Sequence, residues 1–328
     1  MKCAPVASVL LFALTTAVAG QQPASEMPPQ VFRSGTNLVP LNVTVTDGNR
    51  QFVKGLTAAD FAIFEDGVAQ AVQFFEATDT PLDLILLLDT SSSMSDKMDV
   101  VHEAAIGFLK TLRAGDRGAV VAFSDGVDIL QPLTSDQEAL TQAVRKTIAR
   151  GATSLHNALY ISLKQFGRAA RHEGDVRRQA IAVLSDGEDT SSLITFEDVL
   201  EVARKSGVSV YPIALQSKYT ATRQATMGQR RFYSEAEYAM RLLAQETGAQ
   251  AFFPAQIFEL KGIYGAIAQE LSAQYALAYS PTNMRPDGKF RKIQVRLATR
   301  PELKLRTRTG YTAAMGRAAV VPVAHDPR

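Results

Sequence analysis

The sequence predicts an α/β fold: a doubly wound, mostly parallel sheet inserted in a smaller β-sandwich-like domain formed by both chain ends. Three observations lead there. Leu84-Ile85-Leu86-Leu87-Leu88 is apolar without alternation, as a strand covered on both faces by helices must be. Beyond it, segments of helical spacing alternate with short apolar runs as far as about Ala273, the pattern of βαβ repetition. On either side of that stretch, apolar and polar residues alternate with the period of half-buried antiparallel strands.

Taken in order, the first feature is a leader. Lys2 precedes an apolar run from Val6 to Val18 that ends in Ala17-Val18-Ala19-Gly20, which reads as a signal peptide over residues 1–19. The run is shorter than the roughly 20 residues that span a bilayer. No second run of such length follows. The expected product is therefore exported, soluble and periplasmic or extracellular, with no integral membrane segment after cleavage; a short uncleaved anchor is the alternative. Cys3, the only cysteine, leaves with the leader, which removes disulfides, thiolate metal sites and cysteine nucleophiles together. Residues 20–37, rich in Pro, Gln and Ser, are expected to be a flexible spacer.

The N-terminal part of the β-domain is expected over 38–80. Leu41, Val43 and Val45 alternate with Asn42, Thr44 and Thr46 before the turn Asp47-Gly48. Phe61 to Phe64 leads into Asp66-Gly67, and Ala69 to Phe75 follows. The α/β domain is expected over 81–273. Met98, Val101, Ala105, Phe108, Leu109 and Leu112 share a helical face that stops at Gly115, and Ala119 to Phe123 is the next buried strand. Leu155 to Phe166 reads as helix and Ala180 to Leu184 as strand. Thr195 opens a helix through Ala203 by a Thr-x-x-Asp box with Asp198, Gly207 closes it, and Val208 to Leu215 is strand again. Between Ser217 and Ser234 the period is lost, which suggests a long surface loop carrying Lys218, Arg223, Arg230 and Arg231. After a helix near Phe258 to Leu271, alternation returns at Tyr275 to Tyr279, at Ile293, Val295 and Leu297, and at Leu303 and Leu305 before Tyr311. Those strands make the C-terminal part of the β-domain, 274–314, with a disordered tail over 315–328.

Bulk charge selects no partner: 35 Lys and Arg face 33 Asp and Glu, so nucleic acid is not expected. The basic residues between Lys289 and Arg308 sit among alternating apolar ones, the usual protection of a wet sheet face. His102, His156, His172 and His325 lack metal-ligand spacing, which argues against a zinc enzyme.

In an open parallel sheet, ligands bind beyond the carboxyl ends of the strands. There the first buried strand ends in Asp89-Thr90-Ser91-Ser92-Ser93-Met94, and the strand from Ala180 ends in Leu184-Ser185-Asp186-Gly187-Glu188-Asp189. The loop Arg150-Gly151-Ala152-Thr153-Ser154 can bring a third hydroxyl to the same rim. Carboxylate and hydroxyl oxygens without imidazole or thiolate suit a hard cation, Mg²⁺ first, with Mn²⁺ or Ca²⁺ as alternatives. Two formal negative charges would leave a bound dication able to accept one more carboxylate from outside. Glu188-Asp189 reads as solvated loop charge and Asp125-Gly126 as turn chemistry. Asp125, Gly126 and His156 are nevertheless the residues placed to touch a partner.

Asp89-x-Ser91-x-Ser93, Thr153 and Asp186 together resemble the five-residue metal-ion-dependent adhesion site of von Willebrand factor type A domains. The resemblance implies that Ser91, Ser93 and Thr153 bind the ion directly, and that Asp89 and Asp186 do so directly or through water. It also implies that a partner's acidic side chain completes the shell. The flanks Gly55-Leu56-Thr57-x-x-Asp60-Phe61, Phe64-Glu65-Asp66-Gly67, Tyr275-x-Leu277-x-Tyr279-x-Pro281 and Gly310-Tyr311 resemble the bacterial exported group of von Willebrand A-related proteins. No activity transfers from that group, and the stretch 217–234 departs from it.

The function expected is an exported, metal-dependent, adhesion-type module that binds a protein ligand through its Asp or Glu. An envelope assembly scaffold with a structural metal is the alternative. A metal-dependent hydrolase is disfavoured. Aspartyl-phosphate chemistry needs a second acid two positions after Asp89, where Ser91 stands, and neither a Gly-x-Ser-x-Gly elbow nor a phosphate-cradling loop is present.

Overall fold

The computed structural model describes residues 38–77, 80–169, 177–186, 189–215 and 235–315. The leader, the spacer, the whole of the 217–234 loop and all of the tail except Met315 lie outside them. Met315 forms an antiparallel bridge with Asp287.

Strand β5 (Leu82–Asp89) is buried along its whole length. It lies at the centre of a five-stranded sheet, flanked by β6 (Arg117–Phe123) and β8 (Arg178–Ser185), both parallel to it. Outside β8 comes β9 (Ser209–Ala214), also parallel, and outside β6 comes β7 (Val127–Thr134), antiparallel. The absence of alternation in β5 has its reason here. Leu84, Leu86 and Leu88 share one core cluster with Val101 and Phe108 of α1 (Met98–Leu109), and with Tyr264 and Ile267 of a helix from Leu260 to Leu271. Ile85 and Leu87 share another with Leu159 and Phe166 of α3 (Leu155–Ala169) and Val199 of α4 (Phe196–Ser206). Each face of the strand therefore buries its own apolar set. Helix α2 (Gln137–Arg145) follows β7, α5 (Glu235–Glu246) precedes Phe252, which bridges parallel to Ile213, and the Leu260–Leu271 helix is α6.

Strand β7 was not expected from the sequence. Asp128, Gln131 and Pro132 interrupt its pattern, and they are tolerated because β7 occupies the sheet edge. Helix α4 begins with the expected Thr195–Asp198 capping box, runs to Ser206, three residues past Ala203, and closes at the expected Gly207 in the left-handed region (φ 74°).

Strands from both chain ends interleave in two further sheets, ordered β12-β1-β10-β4 and β13-β11-β2-β3. These are β1 (Val39–Thr46), β2 (Phe61–Glu65), β3 (Val68–Gln70), β4 (Val72–Ala77), β10 (Tyr275–Tyr279), β11 (Phe290–Leu297), β12 (Lys304–Arg306) and β13 (Gly310–Thr312). Asp66 and Gly67 have φ of 48° and 84°, the two positive values a tight β2–β3 hairpin turn requires. The flanking motifs close this part. Tyr279 and Tyr311 both donate to the buried Glu65 carboxylate (2.7 and 3.1 Å), and Tyr275 accepts from Leu56 N–H and donates to the Val53 carbonyl. Strand β10, expected to be half-buried, is buried at every position: it runs between β1 and β4, and Tyr275, Leu277 and Tyr279 join the core of the terminal sheets. Where these sheets meet α6, Glu270 accepts from Tyr211 and Thr44 and pairs with Arg306.

Candidate functional site

The site is built at the carboxyl edge of the five-stranded sheet. Strand β5 ends at Asp89, which is fully buried. Its Oδ1 accepts the Ser91 N–H at 2.8 Å and its Oδ2 accepts the Ser185 hydroxyl at 2.6 Å. Burial pushes the Asp89 carboxyl above the ordinary carboxylate range. The nearby Asp186 charge adds to that rise, while the bonds from Ser185 and Ser91 oppose it. Ser91 opens a short 3-10 turn over Ser92–Met94, and that turn carries Ser93 back over the strand end. The Ser93 hydroxyl stands 3.0 Å from the Ser91 hydroxyl and donates to Asp186 Oδ1 at 2.7 Å. Ser91, Ser93 and Asp186 thus form one continuous chain of oxygen atoms, one backbone bond from Asp89.

The Thr153 loop is tied to the same strand end. Gly151 carbonyl accepts from Ser92 N–H at 3.0 Å, and Arg150 N–H donates to Thr90 carbonyl at 2.6 Å. Thr153 N–H donates to the Thr190 hydroxyl at 3.0 Å, and Thr190 N–H returns to the Thr153 carbonyl at 2.9 Å. Gly151 has φ 74° and lies so close to the Asp125 carboxylate that a Cβ there would collide with it. Thr153 itself is buried.

Asp125, Gly126 and His156 hold the rim together. Asp125 accepts from Ala152 N–H at 2.8 Å, Gly126 carbonyl accepts from Ser124 N–H at 2.9 Å, and His156 Nδ1 lies 3.6 Å from Asp189. Asp189 is not a freely solvated charge. It is half-buried and accepts from His156 N–H at 3.1 Å in the first turn of α3 and from the Ser192 hydroxyl at 2.6 Å. Glu188 lies outside the described residues.

Three contributors were not singled out from sequence. Ser185 anchors Asp89, Thr190 anchors Thr153, and Lys97 donates to the Ser93 carbonyl (2.7 Å) and pairs with Asp186 Oδ2. Ser185 adjoins Asp186 at a strand end, which was an available signal. Thr190 and Lys97 had none beyond lying in the right loops.

This donor set fits a hard cation. Every candidate ligand is an oxygen, and one of them, Asp186 Oδ2, already holds a positive group, the Lys97 ammonium, together with the Ser93 main-chain carbonyl. Among the described residues no three His, Cys, Asp or Glu side chains gather at one point, so hydroxyls would have to complete any ligand set.

Two relatives are similar over part of the chain. An uncharacterized protein of Synechocystis sp. is 31% identical over 112 residues, 33% of this chain and 26% of that one. A UPF0353 protein of Mycolicibacterium paratuberculosis is 25% identical over 199 residues, 57% of this chain and 60% of that one. The chain therefore spans less than two thirds of either relative. Among solved structures, a von Willebrand factor type A protein from Catenulispora acidiphila superposes with TM-score 0.49 at 14% identity, covering 88% of this chain and 76% of that one. The vWF domain of the type V pili tip protein Mfa5 from Porphyromonas gingivalis gives 0.45 at 14% identity, covering 58% and 94%. Residues 83–262, more than half of the chain, match the family model of the von Willebrand factor type A domain, and the chain belongs to that family.

Proposed function

We propose that this chain is an exported protein-binding module of the adhesion type in which Asp89, Ser91, Ser93, Thr153 and Asp186 hold Mg²⁺, with Mn²⁺ or Ca²⁺ as alternatives. A partner's Asp or Glu carboxylate completes the shell. One observation carries the proposal: the unbroken run of oxygen atoms from Ser91 through Ser93 to Asp186, beside the buried Asp89. When bound, the ion supplies a Lewis-acidic centre that attracts a further oxygen ligand. The chain's own work is positional. Ser185 and the Ser91 amide fix Asp89, while Thr190 and Asp125 fix the Thr153 loop. Asp125, Gly126 and His156 border the approach from that side.

Binding without catalysis agrees with the chemistry of the rim, since hydroxyls occupy the positions where an acid–base pair would stand. Export rests on the sequence of the leader. Calorimetric titration with Mg²⁺, Mn²⁺ and Ca²⁺ tests the site: heats are expected from the parent and not from Asp89→Ala or Thr153→Ala, and equal heats from all three would defeat it. A pull-down with and without chelator tests the bridge. Loss of partner on chelation with the fold intact supports it; a lowered melting temperature with no selective loss of partner supports the scaffold with a structural metal instead.

A further inference from the structure

We infer that Lys97 is a tethered cation that competes with a divalent ion for Asp186 and so sets the affinity of the site; this rests on the function proposed above. Lys97 stands immediately before α1 and reaches two of the five candidate ligand residues at once. Its ammonium donates to the Ser93 carbonyl at 2.7 Å and pairs with Asp186 Oδ2. Asp186 Oδ1 already accepts the Ser93 hydroxyl. Both oxygens of this carboxylate are therefore engaged, and the only cationic partner among its described bonds is Lys97.

The two partners are unequally placed. The Asp186 side chain is 2% exposed and the Lys97 side chain 20%. Asp186 is fixed in the rim, whereas the lysine has a flexible four-carbon stem and a water-facing side along which its head can withdraw. A divalent ion that takes Asp186 as a ligand meets the ammonium at the same oxygen pair. Two like charges at ligand distance repel strongly in a half-buried setting, so loading the ion requires Lys97 to release Oδ2. With Lys97 in place, the two acidic ligands Asp89 and Asp186 offer a net charge of about −1 to an incoming ion, and about −2 once it has withdrawn.

A merely structural Lys97 would behave in the opposite way. If its pair with Asp186 only stapled the start of α1 to the end of β8, removing it would loosen the rim and weaken ion binding. Competition predicts that removing it strengthens binding, so the sign of the change separates the two.

The test uses the full chain and Mn²⁺ alone, with free ion followed by electron paramagnetic resonance, on the parent and on Lys97→Met, Lys97→Gln and Lys97→Arg. Circular dichroism identifies which of the two neutral variants keep the parental fold, and either one suffices. Binding roughly tenfold tighter is expected in the neutral variants, and parental affinity in Lys97→Arg, which keeps the charge. Equal or weaker binding in the neutral variants overturns the inference and leaves the proposed function standing. Absence of Mn²⁺ binding in every protein, parent included, overturns the proposed function and this inference with it.

Discussion

Strand β5 has a buried aspartate at each end, and the fold answers the two in different ways. At its start, Asp83 is clasped by two guanidinium groups: Arg117 donates through Nε and Nη2 at 2.8 and 2.6 Å, and Arg177 through Nε at 2.7 Å. At its finish, Asp89 is equally buried, yet among the described residues its hydrogen bonds come from neutral donors, the Ser185 hydroxyl and the Ser91 amide. A second carboxylate, Asp186, stands close enough to raise its proton affinity further. One strand thus joins a charge-balanced end to a charge-deficient one. Glu270 at the joint with the terminal sheets is likewise paired with a cation, Arg306, while the buried Glu65 rests on two tyrosine hydroxyls. The rim leaves that balance to be completed.

The comparison can be broken most forcefully at Asp83. Asp83→Ala removes the acid that two arginines share and is expected to cost about 3 kcal/mol of stability, discounted for the half-exposed Arg117, with or without cation, as read by urea denaturation. Next in size, Mn²⁺ at a hundred times its dissociation constant should stabilise the parent by about 2.7 kcal/mol and leave Asp89→Asn unmoved. In chelator, Asp89→Asn should shift stability by less than about 1 kcal/mol, because no ion pair is lost. Equal losses from Asp83→Ala and Asp89→Asn in chelator would erase the distinction between the two ends.

A smaller effect is expected at α4, away from both ends of β5. Thr195→Ala removes the side chain that accepts Asp198 N–H and should cost about 1 kcal/mol in thermal unfolding. The smallest concerns Asp198 itself, whose carboxyl is held below the ordinary carboxylate range by the Thr195 hydroxyl and backbone. A depressed acid stabilises the fold above its unfolded pKa and loses that contribution as pH falls through the lower folded value. An acid titration of Asp198→Asn should therefore converge with that of the parent below that value.

Much of this was legible because the physics was local. A strand buried on both faces writes itself as an uninterrupted aliphatic run, and a capping box as Thr195 and Asp198 three residues apart. The meeting of Asp89, Ser91, Ser93 and Asp186 was readable because loop ends of a parallel sheet converge by topology. What stayed hidden depends on tertiary position. Strand β7 is an edge strand whose polar positions and proline meet no neighbour that would forbid them. The Tyr-Ala alternation of β10 signals a half-buried strand, yet Ala276 and Ala278 are buried too, in a strand paired along both edges by β1 and β4. Lys97 and Thr190 act across loops far apart in sequence, and Asp125 matters through a glycine it approaches rather than through its own turn.

The pairing of Val39 with Tyr279 governs how the protein is made. Strand β1 emerges early in synthesis and has no stable neighbour until β10, on the far side of the whole α/β region, has also been produced. The closure entropy of so wide a loop is borne by the intervening region, whose own folding brings the two chain ends together. Assembly of the outer sheets is therefore a late, slow step, and damage to the central sheet should show itself first as unpaired, aggregation-prone edges at β1 and β4.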